Sequence, residues 1–152
     1  LSPSEEMPTL TYNCINRHIS RVVRTRMVSA TSPWAKDPTI LEAKTHLVPI
    51  SHGEGRIIIS DELAKDLFAK GQVYTQYVTE EGVPVMSEPD NPNGSMFAIE
   101  GITSLDGHVL GKMGHSERTI GALANGKSDS LLKNISGDNC QNLFAAGVRY
   151  FN

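Results

Sequence analysis

One short helix set among β-branched runs limits what this chain can fold into. Ser60 is a good N-cap for a helix from residue 61 to about residue 70, and Gly71 can end that helix in a left-handed conformation. A second, amphipathic helix is predicted over residues 142–151. Strands are predicted at 19–29, 46–51, 57–59, 72–79, 96–102 and 109–113. This order predicts an α/β domain, and its excess of strands indicates only part of one.

Local signals refine this prediction. Pro49 places its strand at a sheet edge or a strand end, and Asp106-Gly107 predicts a hairpin between the last two strands. Gly53 and Gly55 favour a tight turn over a phosphate cradle, since their spacing matches no known phosphate motif. A short helix is predicted at 117–125. The apolar face of the last helix is predicted to contain Leu143, Phe144, Gly147, Tyr150 and Phe151.

Composition places the chain among ordinary globular domains. Its 152 residues suffice for one domain with a sizeable core, and its formal net charge is −3. That charge argues against a dedicated nucleic-acid binder, and no apolar run approaches the roughly 20 residues that a membrane span needs. Cys14 and Cys140 lie far apart and lack CxxC spacing, which favours a reducing compartment and a cytoplasmic location.

The residues most suited to chemistry follow the last predicted strand. His115 and Glu117 stand two positions apart, just after Gly114. If the backbone stays extended past Gly114, their side chains point to the same face. A carboxylate beside an imidazole accepts its N–H, fixes its tautomer and raises its basicity, so the pair indicates a histidine prepared to move protons near neutral pH. Two polar residues after a strand are also common in solvated loops, and the spacing alone does not separate the two interpretations.

Other chemistries find less support in the sequence. A zinc deaminase would need a Pro-Cys-x-x-Cys motif after His52-x-Glu54 or His115-x-Glu117, and none follows. The five histidines lack zinc-site spacing, so no metal site is predicted. Cys140 lies just ahead of the last predicted helix, where a helix N-terminus would favour the thiolate. It stays an alternative nucleophile, although a half-buried structural cysteine is the simpler interpretation.

Four motifs in a fixed order carry more information than any one of them. They are His-Gly-Glu-Gly-Arg at 52–56, Asn-Pro-Asn-Gly-Ser at 91–95, Ile-Glu-Gly-Ile-Thr at 99–103 and Gly-Lys-Met-Gly-His-Ser-Glu-Arg at 111–118. From about Met7 to its end, the chain resembles the glutamine amidotransferase domain of the phosphoribosylformylglycinamidine synthases. Members of this family commonly have Pro-His-Pro-Glu-Arg where this chain has Gly114 and Ser116. The form found here is closer to the large fused enzyme than to the separate subunit.

The resemblance implies a fold and a set of catalytic residues. The fold is the C-terminal portion of a class I glutamine amidotransferase (flavodoxin-like) domain, α/β and strand-rich, over residues 1–152. The family uses a Cys-His-Glu triad, and His115 and Glu117 match its last two members. The cysteine of the family lies in a Gly-x-Cys-Asn-Gly elbow that this sequence lacks. The nucleophile is therefore expected upstream in the parent protein, and the chain alone is expected to be inactive.

The resemblance also implies a substrate and partners. Glutamine would be hydrolysed to ammonia, which the synthetase domain of the same polypeptide would use to convert formylglycinamide ribotide to its amidine in purine biosynthesis. ATP and magnesium would bind that synthetase domain, and no cofactor is expected in this chain. Residues expected to shape the glutamine pocket or the domain interface are His52, Glu54, Asn91, Asn93 and Ser95.

Two further expectations concern an incomplete domain. The missing nucleophile and the two replaced prolines leave open a different class of function, a catalytically dead domain that binds or regulates a partner. Half a domain would also expose strand edges and apolar surface, which favours association. A homo-oligomer of the chain is therefore expected if the chain is stable by itself.

Overall fold

The computed structural model describes residues 7–118 and 141–152. The strands are β1 (Thr9–Thr11), β2 (Ile19–Met27), β3 (His46–His52), β4 (Arg56–Ile58), β5 (Val73–Tyr77), β6 (Ile99–Thr103) and β7 (Leu110–Lys112). The helices are α1 (Pro38–Glu42), α2 (Asp61–Ala69) and α3 (Leu143–Phe151), with 3-10 turns at Pro33–Ala35 and Met96–Ala98. Both longer helices and the order of the predicted strands are confirmed, whereas β1 and α1 were not predicted.

A five-stranded antiparallel sheet in the order β3-β2-β5-β6-β7 forms the centre of the described fold. A separate two-stranded sheet pairs β1 with β4. All residues of the middle strand β5 are buried, because different parts of the chain cover its two faces. Val73 packs in a cluster with α2, Tyr74 in a cluster with α3, and Tyr77 in a cluster with β2 and β3.

The main sheet curls until its two edges meet. A backbone bridge links Ile50, in the edge strand β3, to Gly114, just beyond the opposite edge strand β7. Beside this bridge the His115 N–H donates a 2.8 Å hydrogen bond to the Pro49 carbonyl. Proline has no N–H to contribute to a ladder, and its predicted place at a sheet edge is confirmed. The closure of the sheet holds the segment that carries His115 against β3.

The helix α2 begins and ends where the sequence predicts. Ser60 Oγ accepts the Leu63 N–H at 3.2 Å and so caps the first turn, while Gly71 follows the helix at a φ of +68°. Ala64 and Leu67 are the buried residues of the helix. They pack in a cluster with Ile57, Ile59, Val73 and Ile99. The helix α2 therefore packs against both β4 and the main sheet.

The chain on either side of β6 follows the prediction only in part. The predicted hairpin joins β6 to β7, with Gly107 at a φ of +74°. The strand predicted from residue 96, however, begins only at Ile99. Phe97 and Ala98 have φ values of +53° and +57°, which a strand cannot include. The Phe97 carbonyl instead accepts the Gln76 side-chain amide at 2.8 Å.

The helix α3 buries a different face from the one predicted. Its buried residues are Leu143, Ala146 and Gly147, whereas Phe144 is 55% exposed and Phe151 is 77% exposed. Tyr150 is also exposed, so the predicted face is wrong for three of its five members. A Cβ at position 147 would lie 2.8 Å from the Trp34 ring. The helix approaches this ring through its smallest residue, which turns the phenylalanines outward.

Two predictions extend beyond the described residues. Residues 116–118 are helical, and Glu117 and Arg118 are the first two residues of the helix predicted at 117–125. The remainder of that prediction, together with Cys140, lies outside the described residues. Between residues 7 and 118 and from residue 141 onward, no helix is long and apolar enough to cross a membrane.

Candidate functional site

His115 lies where the chain leaves the closed sheet and enters a helical turn. Its carbonyl accepts the Arg118 N–H at 3.1 Å, as the carbonyl of an N-cap residue does. Because residues 116–118 are helical, the expectation that the backbone stays extended past Gly114 is wrong. The two side chains meet nevertheless, with His115 Nδ1 at 2.7 Å from Glu117 Oε1. A residue just before a first turn can fold its side chain back over that turn, as in capping interactions.

This hydrogen bond decides which ring nitrogen carries the proton. An ionised carboxylate can only accept, so Nδ1 donates and the neutral imidazole keeps its lone pair on Nε2. Partial burial raises the pKa of Glu117, but its backbone N–H and the His115 ring together outweigh burial and hold that pKa below its ordinary value. Glu117 is therefore ionised at neutral pH. The side chains of His115 and Glu117 are 38% and 55% exposed, so a small molecule can reach them.

A cavity of about 400 Å³ opens beside the pair. This volume lies within the range of small-molecule sites. Its wall combines the polar pair with the apolar end of α3 and one side of β7. The lining residues include Trp34, Lys112, His115, Glu117, Leu143 and Phe144. The pair therefore faces a space in which a ligand the size of an amino acid could bind.

His52 and Glu54 lie in a tight turn organised by Asn13. Asn13 is fully buried, and its Oδ1 accepts the Gly55 N–H at 3.0 Å and lies 3.1 Å from His52 Nδ1. The His52 ring packs so closely on Gly55 that a Cβ there would lie 2.2 Å from it. Burial lowers the pKa of His52, and nearby His18 and His115 lower it further. Glu54 is exposed. His52 and Glu54 therefore share one turn, but the His52 ring packs on Gly55 whereas Glu54 is exposed.

Asn91, Asn93 and Ser95 are fully buried and hold two loops together. The Asn93 side-chain amide donates to the Gly55 carbonyl at 2.7 Å and to the Tyr77 hydroxyl at 2.8 Å. Ser95 Oγ donates to the same Gly55 carbonyl, and Asn91 donates to the Ser95 carbonyl at 2.8 Å. Their predicted part in the pocket stays a prediction. The geometry favours an indirect role, in which these three side chains hold the turn that carries His52 and Glu54.

A family model decides the wider affiliation. It describes the CobB/CobQ-like glutamine amidotransferase domain and matches residues 2–151. The chain belongs to this family. The predicted fold class, a strand-rich α/β portion of a glutamine amidotransferase domain, is thereby confirmed.

Curated relatives match most of the chain, and a solved structure has a similar fold. The chain is 36% identical over 147 residues to phosphoribosylformylglycinamidine synthase subunit PurQ of Treponema denticola, covering 93% of the chain and 52% of that protein. It is 38% identical over 117 residues to the same subunit of Halobacterium salinarum, covering 74% and 49%. The structure of PurLQS from Thermotoga maritima has a similar fold, with a TM-score of 0.65, 22% identity and coverage of 96% and 54%. The chain spans about half the length of the curated relatives it matches.

In the described part of the amidotransferase domain, neither a metal-binding cluster nor the Cys14 thiol lies beside His115. No group of three or more His, Cys, Asp or Glu side chains in 7–118 or 141–152 is arranged to hold a metal ion. Cys14 is a free, exposed cysteine whose Sγ lies 3.7 Å from the Pro92 carbonyl. It does not line the cavity beside His115.

Sequence reasoning missed the buried charges of this amidotransferase domain. Glu100 in β6 is fully buried, and the Lys112 side chain in β7 is only 8% exposed. Burial lowers the pKa of Lys112, and the nearby Glu100 carboxylate offsets this effect only in part. The sequence did contain a signal, because Glu100 and Lys112 are the only residues of the predicted strands 96–102 and 109–113 that are neither apolar nor glycine.

Proposed function

We propose that this chain supplies the base and the orienting carboxylate of a glutaminase site. The observation that carries the proposal is the 2.7 Å contact between His115 Nδ1 and Glu117 Oε1, beside a cavity of ligand size. The names of the curated relatives indicate the larger reaction. The ammonia would serve phosphoribosylformylglycinamidine synthase in the conversion of formylglycinamide ribotide to its amidine.

The chemistry needs a thiol from the upstream part of the parent protein. His115 Nε2 would take the thiol proton, and the thiolate would attack the side-chain amide carbon of glutamine. As the C–N bond breaks, the proton would leave with ammonia. His115 would next take a proton from water, whose oxygen attacks the thioester. The C–S bond then breaks, releasing glutamate, and the proton returns to sulfur. Glu117 would hold the ring and stabilise its cationic form.

The remaining partners follow from the same proposal. In a fused parent protein, a synthetase domain on the same polypeptide would bind ATP and magnesium and consume the ammonia. The parent protein would be cytoplasmic. No cofactor is proposed for this chain. His52 and Glu54 do not line the cavity beside His115, so they would border the domain interface or a part of the glutamine pocket outside that cavity. Asn91, Asn93 and Ser95 would hold their turn. The exposed apolar residues of α3 support association with a second copy when the chain is separated from its parent.

The test is His115→Ala in the full-length parent enzyme. Glutamine-dependent synthesis should fall by about 10²- to 10⁴-fold, because the general acid–base group is lost. Synthesis with ammonia as nitrogen donor should be unchanged, since the synthetase domain does not use His115. Both rates are measured by formation of the amidine product. His108→Ala is the matched control, because His108 is exposed and also lies next to a carboxylate, Asp106, at 3.2 Å.

Three outcomes would contradict the proposal. Loss of both activities in a folded His115→Ala enzyme would mean that His115 does not act in glutamine hydrolysis alone. Full glutamine-dependent activity of His115→Ala would show that His115 is not the base. A wild-type parent that works with ammonia but not with glutamine would favour the alternative, a catalytically dead interaction or regulatory domain.

A further inference from the structure

A fully buried carboxylate lies directly beneath the segment that carries His115. Glu100 accepts hydrogen bonds from Thr75 Oγ1 and from the Gly114 N–H, the latter at 2.5 Å. Removing a carboxylate from water is unfavourable unless protein donors replace the water. The Gly114 N–H is one of these donors. The peptide just before His115 is therefore tied to the interior of the sheet.

The fit around Gly114 leaves this segment little freedom. A Cβ at position 114 would lie 2.6 Å from Val48 Cγ2 and 2.9 Å from Glu100 Oε1. The next N–H, that of His115, donates to the Pro49 carbonyl at 2.8 Å. Two successive amides are thus held, one by a buried side chain and one by the edge strand β3. Together they set the direction in which the chain enters the helical turn.

Lys112 holds the same segment from its other side. Its Nζ lies 2.8 Å from Gln141 Oε1, 3.2 Å from Ser116 Oγ and 3.7 Å from Glu100 Oε1. An ammonium group has three donors and can serve all of these oxygens. Ser116 is the residue between the base and its carboxylate, and Gln141 precedes α3. Lys112 therefore links the turn of His115 and Glu117 to both β6 and the last helix.

We propose that Glu100 and Lys112 are positioning residues for the His115–Glu117 pair. Glu100 fixes the peptide before His115, and Lys112 fixes the residue that separates the pair. This inference rests on the proposed glutaminase function. Stability alone is a weak reason for these charges, because buried ion pairs add little compared with apolar packing and the direct contact between them is 3.7 Å. Their shorter hydrogen bonds reach both sequence neighbours of His115.

The experiment measures steady-state kinetics of the full-length parent enzyme with glutamine or ammonia. The main variant is Glu100→Gln combined with Lys112→Met, which leaves no unpaired buried charge and keeps an acceptor for the Gly114 N–H. Its kcat with glutamine should fall roughly 10- to 100-fold, the size of effect that a small misplacement of catalytic groups produces, with KM for glutamine within about twofold. Ammonia-dependent synthesis should be unchanged.

A matched control and a milder variant complete the test. Lys70→Met removes an exposed lysine that pairs with Asp66 at 2.6 Å and should change neither activity. Ser116→Ala keeps both buried charges and removes the hydroxyl that contacts Lys112 Nζ and donates to Gln141 Oε1. It should lower kcat with glutamine at unchanged KM, and it provides the test if the double variant fails to fold.

Several results would overturn the positioning role. One is a folded double variant, or a Ser116→Ala enzyme, with wild-type kcat for glutamine. Another is a single Lys112→Met variant that unfolds, together with a double variant that recovers both the fold and the wild-type kcat. The need to balance the buried charge of Glu100 would then explain why Lys112 is present. His115→Ala in the same assay separates the two proposals. If it keeps glutamine-dependent synthesis, the glutaminase function fails, whereas its inactivity beside a fully active double variant overturns only the positioning role.

Discussion

At the level of single residues, the described part of the chain includes two His–carboxylate pairs with different surroundings. His115 and Glu117 border a cavity and are held by the closure of the sheet. His108 and Asp106 lie in the exposed hairpin between β6 and β7, 3.2 Å apart. The Asp106 pKa is lowered to about 2, mainly by the Ser104 hydroxyl. The second pair therefore offers an internal comparison for the chemistry of the first.

Replacement of Glu117, the proposed orienting carboxylate, gives the first prediction. In the full-length enzyme, Glu117→Gln should lower kcat with glutamine by about 100-fold, because a side-chain amide can donate to Nδ1 and so favour the wrong tautomer. Asp106→Asn makes the same chemical change beside His108 and should have no effect. Steady-state kinetics with glutamine checks both. Equal kcat values for Glu117→Gln and the wild type would show that Glu117 does not orient the base.

At the level of secondary-structure elements, the site depends on how tightly the two edges of the main sheet approach. Gly114 lies in the bridge to Ile50, against Val48. Gly111 lies in β7, three residues earlier, and a Cβ there would meet no atom within 4 Å. Backbone closure, rather than a general need for glycine in this strand, therefore explains the small residue at 114.

A pair of alanine substitutions tests this closure. Gly114→Ala should lower the free energy of unfolding by about 1–3 kcal/mol, because the added methyl group overpacks the contact with Val48. Gly111→Ala should change it by no more than about 0.5 kcal/mol, as expected for an open surface position. Urea unfolding of the chain measures both. Similar losses for the two variants would mean that the edges do not meet as described.

At the level of the whole molecule, burial of His46 links stability to pH. Its side chain is fully buried at the start of β3. Burial lowers the pKa of His46 to about 4, and the positive charge of Lys112 contributes to the shift. Below the ordinary pKa of histidine, the unfolded chain binds a proton that the folded chain does not. The folded state is therefore favoured above about pH 6.5 and loses stability as pH falls toward 4.

Removal of the buried His46 side chain should make the free energy of unfolding depend less on pH. The wild-type chain should lose roughly 2 kcal/mol between pH 6.5 and pH 5 from His46 alone, a loss that His46→Leu should not show. Urea unfolding at several pH values measures the slope. If His46→Leu loses stability as steeply as the wild type, His46 is not the group responsible.

Helix ends, tight turns and the order of short motifs could be predicted from the sequence, because each of these signals lies within a few residues. Ser60 and Gly71 define α2 through its own end groups, and Asp106-Gly107 defines the hairpin through its backbone preference. The order of four short motifs led to the amidotransferase family, which the family model confirms. The pairing of His115 with Glu117 was also predicted, but on the assumption of an extended backbone, which is wrong.

Only the tertiary structure decided how the site is held. The bridge between Ile50 and Gly114, the buried Glu100 and Lys112, and the outward phenylalanines of α3 depend on contacts between distant parts of the chain. Spacing and propensity describe what one segment prefers, whereas these contacts depend on which segments pack together and how closely. The sequence thus determined the two longer helices, the order of the predicted strands and the pair of chemical groups. The closing of the sheet determined the turn on which that pair meets and the buried charges beneath it.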